Sequence, residues 1–440
     1  MENPRQLAFQ TLRGVLRDQS YSNLSIAGAL RSNDLSGADK SFYTGLVYGV
    51  LERKVTLDYE LSLYLRQPLR KLDPKVYTAL LLGAFQVLFL DRVPDHAAIN
   101  ETVKLVKKNG AAYGAGLCNA VLRKVSENGL QLPELRERPE EDARSLSDEQ
   151  ALYYSVKYAV PVPLLSLWTE AYGLEKTEGI LADALGPRPL TVRVNTTKTT
   201  AGDLLARLAE EGVSAEPHEK VENALVLKEP GDLAELPSFR EGLFHVQDAA
   251  SQLCCENLDA RPGQVVLDLC AAPGGKSCTL AEHMENSGVV RAFDLHENRV
   301  ELIRENASRL GLSCVEAAVG DATVYDPEIG PADRVLADVP CAGFGDIGRK
   351  PEIRFRDPAF VDDLPPLQYN ILNNAVRYLR PGGRLVYSTC SLNPAENEAV
   401  VERFLSDHPD CTLLFQKTYF PQEYRCDGFF NAVIEKAGET

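Results

Sequence analysis

The sequence predicts a multidomain protein of α plus α/β class. An all-helical front end is followed by a small mixed α/β subdomain and then a doubly wound, mainly parallel C-terminal sheet. Three observations carry this. Residues 1–130 show helical periodicity and helix stop signals without strand alternation. Residues 186–258 mix short apolar runs with turn residues. From 260 to 436, strand-like and helix-like patterns alternate with a clear period, as βαβ units do. The length of 440 residues agrees with about three domains, and 44% hydrophobic with 25% charged residues excludes a disordered chain.

Taken in order, Asp73-Pro74 predicts an N-cap with proline at the first helical position, ahead of an apolar helix through Leu88. A second helix starts near Ala97 and stops at Lys107-Lys108-Asn109-Gly110, basic residues at a helix C-terminus followed by glycine. A third spans Leu117 to Val125. Residues 131–150, rich in Glu, Asp, Arg and Pro, read as a linker. Residues 151–258 read as one domain: a helical segment with Trp168 on its apolar face, then a subdomain with strands at Leu190–Val194, Ala224–Leu227 and Leu243–Val246. Residues 259–440 form the last domain, with strands at 265–270, 289–295, 314–319, 334–339, 385–390 and 429–434.

The net charge is −16, yet residues 1–128 hold 17 Lys and Arg against 12 Asp and Glu, so that end carries +5 and the remainder −21. Whole-chain charge therefore does not exclude a nucleic-acid partner. The N-terminal helices read either as a bundle with a solvated basic face or as an RNA-binding one. The ten cysteines form no Cys-x-x-Cys pair and the six histidines are scattered, so no metal is expected. No charged-then-apolar leader and no apolar run of about 18 residues occur, so a cytoplasmic protein with reduced thiols and no membrane partner is expected.

Ligands of such sheets bind beyond the carboxyl ends of the strands. The first strand runs into Cys270-Ala271-Ala272-Pro273-Gly274-Gly275-Lys276-Ser277. Gly-Lys-Ser invites a phosphate-loop reading, but that loop needs glycine where Cys270 stands. The next strand ends at Asp294, 20 residues after Gly274, an offset that suits a ribose diol. Asp321 follows the third strand and Asp338 ends the fourth. A glycine loop and three acids on one rim predict an S-adenosyl-L-methionine site, with S-adenosyl-L-homocysteine as product.

Strand four leads into Pro340-Cys341 and strand five into Thr389-Cys390. A lone cysteine is usually a small buried hydrophobe; two at the same sheet edge suggest chemistry. Carbon 5 of a pyrimidine is too weak a nucleophile to take a methyl group unless a thiolate first adds to carbon 6. Position alone leaves the order of the two thiols open. Arg349, Lys350, Arg354 and Arg356 follow Cys341 and read as phosphate contacts or as a solvated loop.

These motifs resemble the RNA (cytosine-C5) methyltransferase family. The resemblance implies Cys390 as nucleophile, Cys341 as the product-release residue, Asp338 against the base or cofactor, and Cys270–Lys276, Asp294, Asp321 and Asp338 as cofactor contacts. Asp39-Lys40, Leu57-Asp58, the run Ala98–Lys107 and Asn119–Arg123 together resemble a NusB-type RNA-binding domain. Arg193-Val194-Asn195, Val246–Ser251, Arg349–Arg354 and Asp427–Phe430 are similar to the ribosomal small-subunit RNA methyltransferase B group. Ala342 and Gly348 depart from that group, where serine and a basic residue are frequent. The resemblance implies a monomer acting on a cytosine in 16S ribosomal RNA. The competing readings are the same chemistry on transfer RNA and a non-catalytic RNA-binding assembly factor.

Overall fold

The computed structural model describes residues 3–18, 22–187, 190–356 and 358–438. It resolves into two compact units, Met1–Gly186 with Ile347–Phe355, and Pro187–Asp346 with Arg356–Thr440. The helical segment and the small subdomain, read together as residues 151–258, therefore part company at residue 186.

The first unit is helical. Its central helix, Pro74–Phe89, starts where Asp73 Oδ1 accepts from the N–H groups of Lys75 and Val76. Apolar residues at nearly every position, Leu80, Leu81, Leu82 and Phe85 among them, bury it on most sides. Asp95–Lys108 and Ala115–Asn128 pack against it. Helices Asp148–Lys157, Val162–Tyr172 and Leu174–Ala184 complete the unit, and Trp168 is wholly buried among them. Thr56 Oγ1 donates to the Val156 carbonyl at 2.6 Å, tying this later group to the earlier one.

Ile347–Phe355 belongs to the same unit despite its place in the sequence. Glu352 accepts from Ser22 N at 2.9 Å and Ser22 Oγ at 2.7 Å. Arg354 donates to the carbonyls of Glu52, Ala159 and Ile347 at 2.9, 2.8 and 3.1 Å.

In the second unit the strands are β1 (Leu190–Val194), β2 (Ser214–Pro217), β3 (Ala224–Lys228) and β4 (Phe244–Val246), then β5 (Val265–Asp268), β6 (Val289–Asp294), β7 (Val315–Val319), β8 (Ala332–Asp338), β9 (Leu379–Thr389), β10 (Cys411–Tyr419) and β11 (Phe429–Lys436). Strands β1 to β4 form an antiparallel sheet in the order β2-β3-β1-β4. The other sheet runs β10-β11-β9-β8-β5-β6-β7. Strands β5 to β9 are parallel, and β11 and β10 antiparallel. Successive residues serve opposite faces. Val266, Leu336 and Val386 meet helices Ala249–Leu258 and Gly275–His283 on one side; Leu267, Val335 and Leu385 meet Leu364–Tyr378 and Glu398–Asp407 on the other. The chain order reverses between β5 and β8, which opens a crevice at their carboxyl ends.

Candidate active site

Asp268 ends β5 and leads into the turn that opens helix Gly275–His283. Gly274 adopts φ +101°, and a Cβ there would lie 3.1 Å from the Ile303 Cα, so both backbone angle and space require glycine. The turn is fixed by Ala271 N donating to the Phe293 carbonyl and Gly274 N to the Ala271 carbonyl, both at 2.7 Å. Asp294, at the end of β6, is almost fully buried; its Oδ2 lies 3.3 Å from both Ala272 N and an Arg299 guanidinium nitrogen. Asp321 is exposed and accepts from Thr323 N and Oγ1, so it caps its own turn.

A cavity of about 200 Å³ opens beside this turn, lined by Gln247, Ser251, Asp268, Cys270, Lys276 and Asp338 among others. Two of its buried polar atoms have no protein partner: Asp268 Oδ1, an acceptor, and Gln247 Nε2, a donor. Burial pushes the Asp268 carboxyl up to about 7, despite its 2.6 Å bond from Ser277 Oγ. An acceptor and a donor left open in one crevice, beside a glycine turn at a helix N-terminus, fit a polar, cationic, ribose-bearing ligand.

Lys276 Nζ meets Asp338 Oδ2 at 2.7 Å, and Ser388 Oγ donates to Asp338 Oδ1 at 2.8 Å. Burial works against the lysine charge, but the adjacent carboxylate outweighs it and raises the Lys276 pKa. Asp338 pairs with Ser388 across β8 and β9, so the residues that follow, Cys341 and Cys390, emerge side by side. Their sulfurs are 3.3 Å apart. The hydrogen bond to Cys390, reinforced by burial, pushes the Cys341 thiol well up.

Three further contacts set these loops. Gly345 N donates to the Cys390 carbonyl at 3.0 Å, and Gly428 N to the Gly345 carbonyl at 2.9 Å. Arg356 donates to the carbonyls of Cys341 and Ala342 at 3.2 and 2.7 Å. Glu396, wholly buried, accepts from Ala342 N and Ser391 Oγ.

The basic cluster after Cys341 does not act as one patch. Arg354 is 3% exposed and spends its donors on backbone carbonyls, which corrects its reading as an RNA contact: a cation so enclosed cannot reach a phosphate. Arg349 and Lys350 are half-buried in the helical unit, and Arg356 half-buried in the other. Sequence reasoning missed Ser388, Gln247 as an open donor, Gly345 and Glu396. The signal for Glu396 was local: a carboxylate in the Pro394–Asn397 turn, six residues past Cys390.

The seven-stranded order with its antiparallel β11, and a glycine turn with acids at the switch point, define a Rossmann-like methyltransferase domain. Family models agree: residues 255–435 match the 16S rRNA methyltransferase RsmB/F model, residues 2–127 the NusB family, and residues 160–234 the RsmF/B-like ferredoxin-like domain. Over 99% of both chains the protein is 37% identical to a probable ribosomal RNA small subunit methyltransferase B of Bacillus subtilis. Its counterpart in Synechocystis is 35% identical over 99% of this chain and 100% of that one. The crystal structure of PH0851 superposes with a TM-score of 0.81, at 27% identity and 99% coverage of each chain. The chain belongs to the ribosomal RNA small subunit methyltransferase B family. Among the described residues no helix is long and apolar enough to cross a membrane, and no three His, Cys, Asp or Glu side chains gather as a metal would need.

Proposed function

We propose that the protein methylates carbon 5 of a cytosine in 16S ribosomal RNA through a covalent Cys390 adduct, in the cytoplasm and as a monomer. The resemblance to the family implies cytosine 967 as the target base. The observation that carries the chemistry is the pair of strand-end thiols 3.3 Å apart, beside the Lys276–Asp338 pair.

Cys270–Lys276 and Asp294 would hold S-adenosyl-L-methionine, which supplies an electrophilic methyl group when bound. Cys390 Sγ adds to carbon 6 of the cytosine, and the electron pair of the 5,6 double bond becomes available at carbon 5. Asp338, held by Lys276 and Ser388, would accept a hydrogen bond at the base edge. Once carbon 5 carries the methyl group, a base takes its proton, the C–H electron pair restores the 5,6 double bond, and Cys390 Sγ leaves carbon 6 as the thiolate. The hydrogen bond with Cys390 and burial raise the Cys341 pKa, which disfavours Cys341 as the attacking thiolate. That supports Cys390 as the attacking sulfur and leaves Cys341 to the release step that the family resemblance implies. The base must leave any helix to reach these thiols.

The experiment is a denaturing gel of each cysteine variant with substrate RNA and cofactor. Cys390→Ala should give neither product nor adduct, while Cys341→Ala should leave RNA attached to Cys390. A trapped band with Cys390→Ala and none with Cys341→Ala would reverse the roles. Activity retained in Cys390→Ala would refute the covalent route.

A further inference from the structure

Glu396 lies between β9 and helix Glu398–Asp407, and none of its surface reaches solvent. Its Oε1 accepts from Ala342 N at 2.7 Å and from Gln368 Nε2 at 3.0 Å; its Oε2 accepts from Ser391 Oγ at 2.6 Å. Ala342 is the neighbour of Cys341, and Ser391 the neighbour of Cys390. Gln368 also donates to the Pro340 carbonyl at 2.9 Å, on the other side of Cys341. The Tyr387 hydroxyl donates to the Glu396 carbonyl at 2.5 Å, which pins the turn itself.

A buried carboxylate is costly unless its lone pairs are filled, and an apolar side chain would fill this space without desolvating a charge. What a carboxylate offers is two acceptor-only oxygens on one rigid plane. Here one oxygen holds the loop of Cys341 and the other the loop of Cys390. We propose that Glu396 is a positioning residue: it sets the separation of the two thiols, and through it the release of RNA from Cys390. The first half stands on geometry alone; the second rests on the covalent reading above.

The test uses the full chain with Glu396→Met, beside Ser391→Ala. The thioether keeps much of the volume but strands the Ala342 and Gln368 donors, whereas an amide would leave them an acceptor and let the Ser391 hydroxyl turn to accept. Without RNA, diamide converts Cys341 and Cys390 to a disulfide; each thiol gives up a proton and an electron, and diamide is reduced to the hydrazine. Mass spectrometry of the linked peptide gives the rate, which reads thiol spacing directly. Glu396→Met should slow it by about tenfold, the effect of stranding a buried donor, with cofactor affinity kept. Ser391→Ala, which removes one donor and adds no opposed group, should slow it about two- to threefold. With RNA and cofactor, Glu396→Met should accumulate denaturant-resistant adduct, as expected for Cys341→Ala. Oxidation at the wild-type rate in Glu396→Met would overturn the proposal, as would a slowing matched by lost cofactor affinity, the mark of a generally loosened fold. If Glu396→Met does not fold, Ser391→Ala carries the test, and an unchanged rate there overturns it. Slowed oxidation with no adduct in any variant, Cys341→Ala included, would uphold the thiol spacing and refute the covalent reading.

Discussion

Replacing Arg354 by Met should destabilise the N-terminal helical unit by about 3–5 kcal/mol. The arginine donates to three backbone carbonyls at 2.9, 2.8 and 3.1 Å and is 3% exposed, so the substitution strands three buried acceptors at once. Bonds from a charged donor contribute about 1.5–3 kcal/mol each. Against that sum stands relief from burying the guanidinium charge, and Met fills much of the vacated volume. The assay is urea unfolding followed by fluorescence of Trp168, the sole tryptophan, buried in the same unit. With a slope of about 2 kcal/mol/M, the midpoint should fall by about 2 M while the slope is kept. RNA affinity measured below the transition should be unchanged. An unmoved midpoint together with weakened RNA binding would refute the structural role and restore Arg354 as a phosphate contact.

Other expectations follow from the same geometry. A Cβ at Gly345 would lie 1.8 Å from the Gly428 carbonyl oxygen, so Gly345→Ala must shift the loop that holds the Cys390 carbonyl. Single-turnover methylation should then slow by about a hundredfold, with cofactor affinity kept; an unchanged rate would show that the loop's placement is immaterial. Asp268, raised to about 7 when folded, binds its proton more tightly than in the unfolded chain, so its contribution to stability falls as pH rises from about 4 to 7. A cationic cofactor beside it favours the ionised form. Affinity measured by calorimetry should therefore rise from pH 6 to 8 with proton release, and Asp268→Asn should abolish that dependence; a flat profile in the parent protein would refute the pairing. Asp294→Ala should weaken S-adenosyl-L-methionine by about tenfold or more, and equal affinity would refute the ribose assignment.

The central strands β5, β8 and β9 were legible because their buried ends read as apolar runs, and β5, β6 and β8 each end on an acid: Asp268, Asp294 and Asp338. Strand β10 was missed. It lies at the sheet edge, carries a register shift between Leu413 and Phe415, and leaves Leu414 and Phe415 exposed, so its alternation is broken. Strand β2 is also an edge strand and holds no large apolar residue. The two thiols were found because the strands that carry them were. Arg354 was misread for the opposite reason. Its position beside a cysteine loop is local, whereas the carbonyl that claims it, Glu52, lies 302 residues earlier. The Glu396 carboxylate stands in a legible turn, but its acceptor role depends on Ala342 and Gln368, which no local pattern joins to it.

The membership of Ile347–Phe355 in the helical unit bears on how the chain folds as it is made. Domains generally fold in the order in which they are synthesised. Residues 1–186 leave the ribosome first, yet their last piece follows about 160 residues later, roughly 8–30 s at the usual rate of elongation. Through that interval the Ser22 donors and the carbonyls of Glu52 and Ala159 wait for Glu352 and Arg354. The helical unit is finished only after β5, β6, β7 and β8 have emerged, so its completion overlaps the synthesis of the other unit.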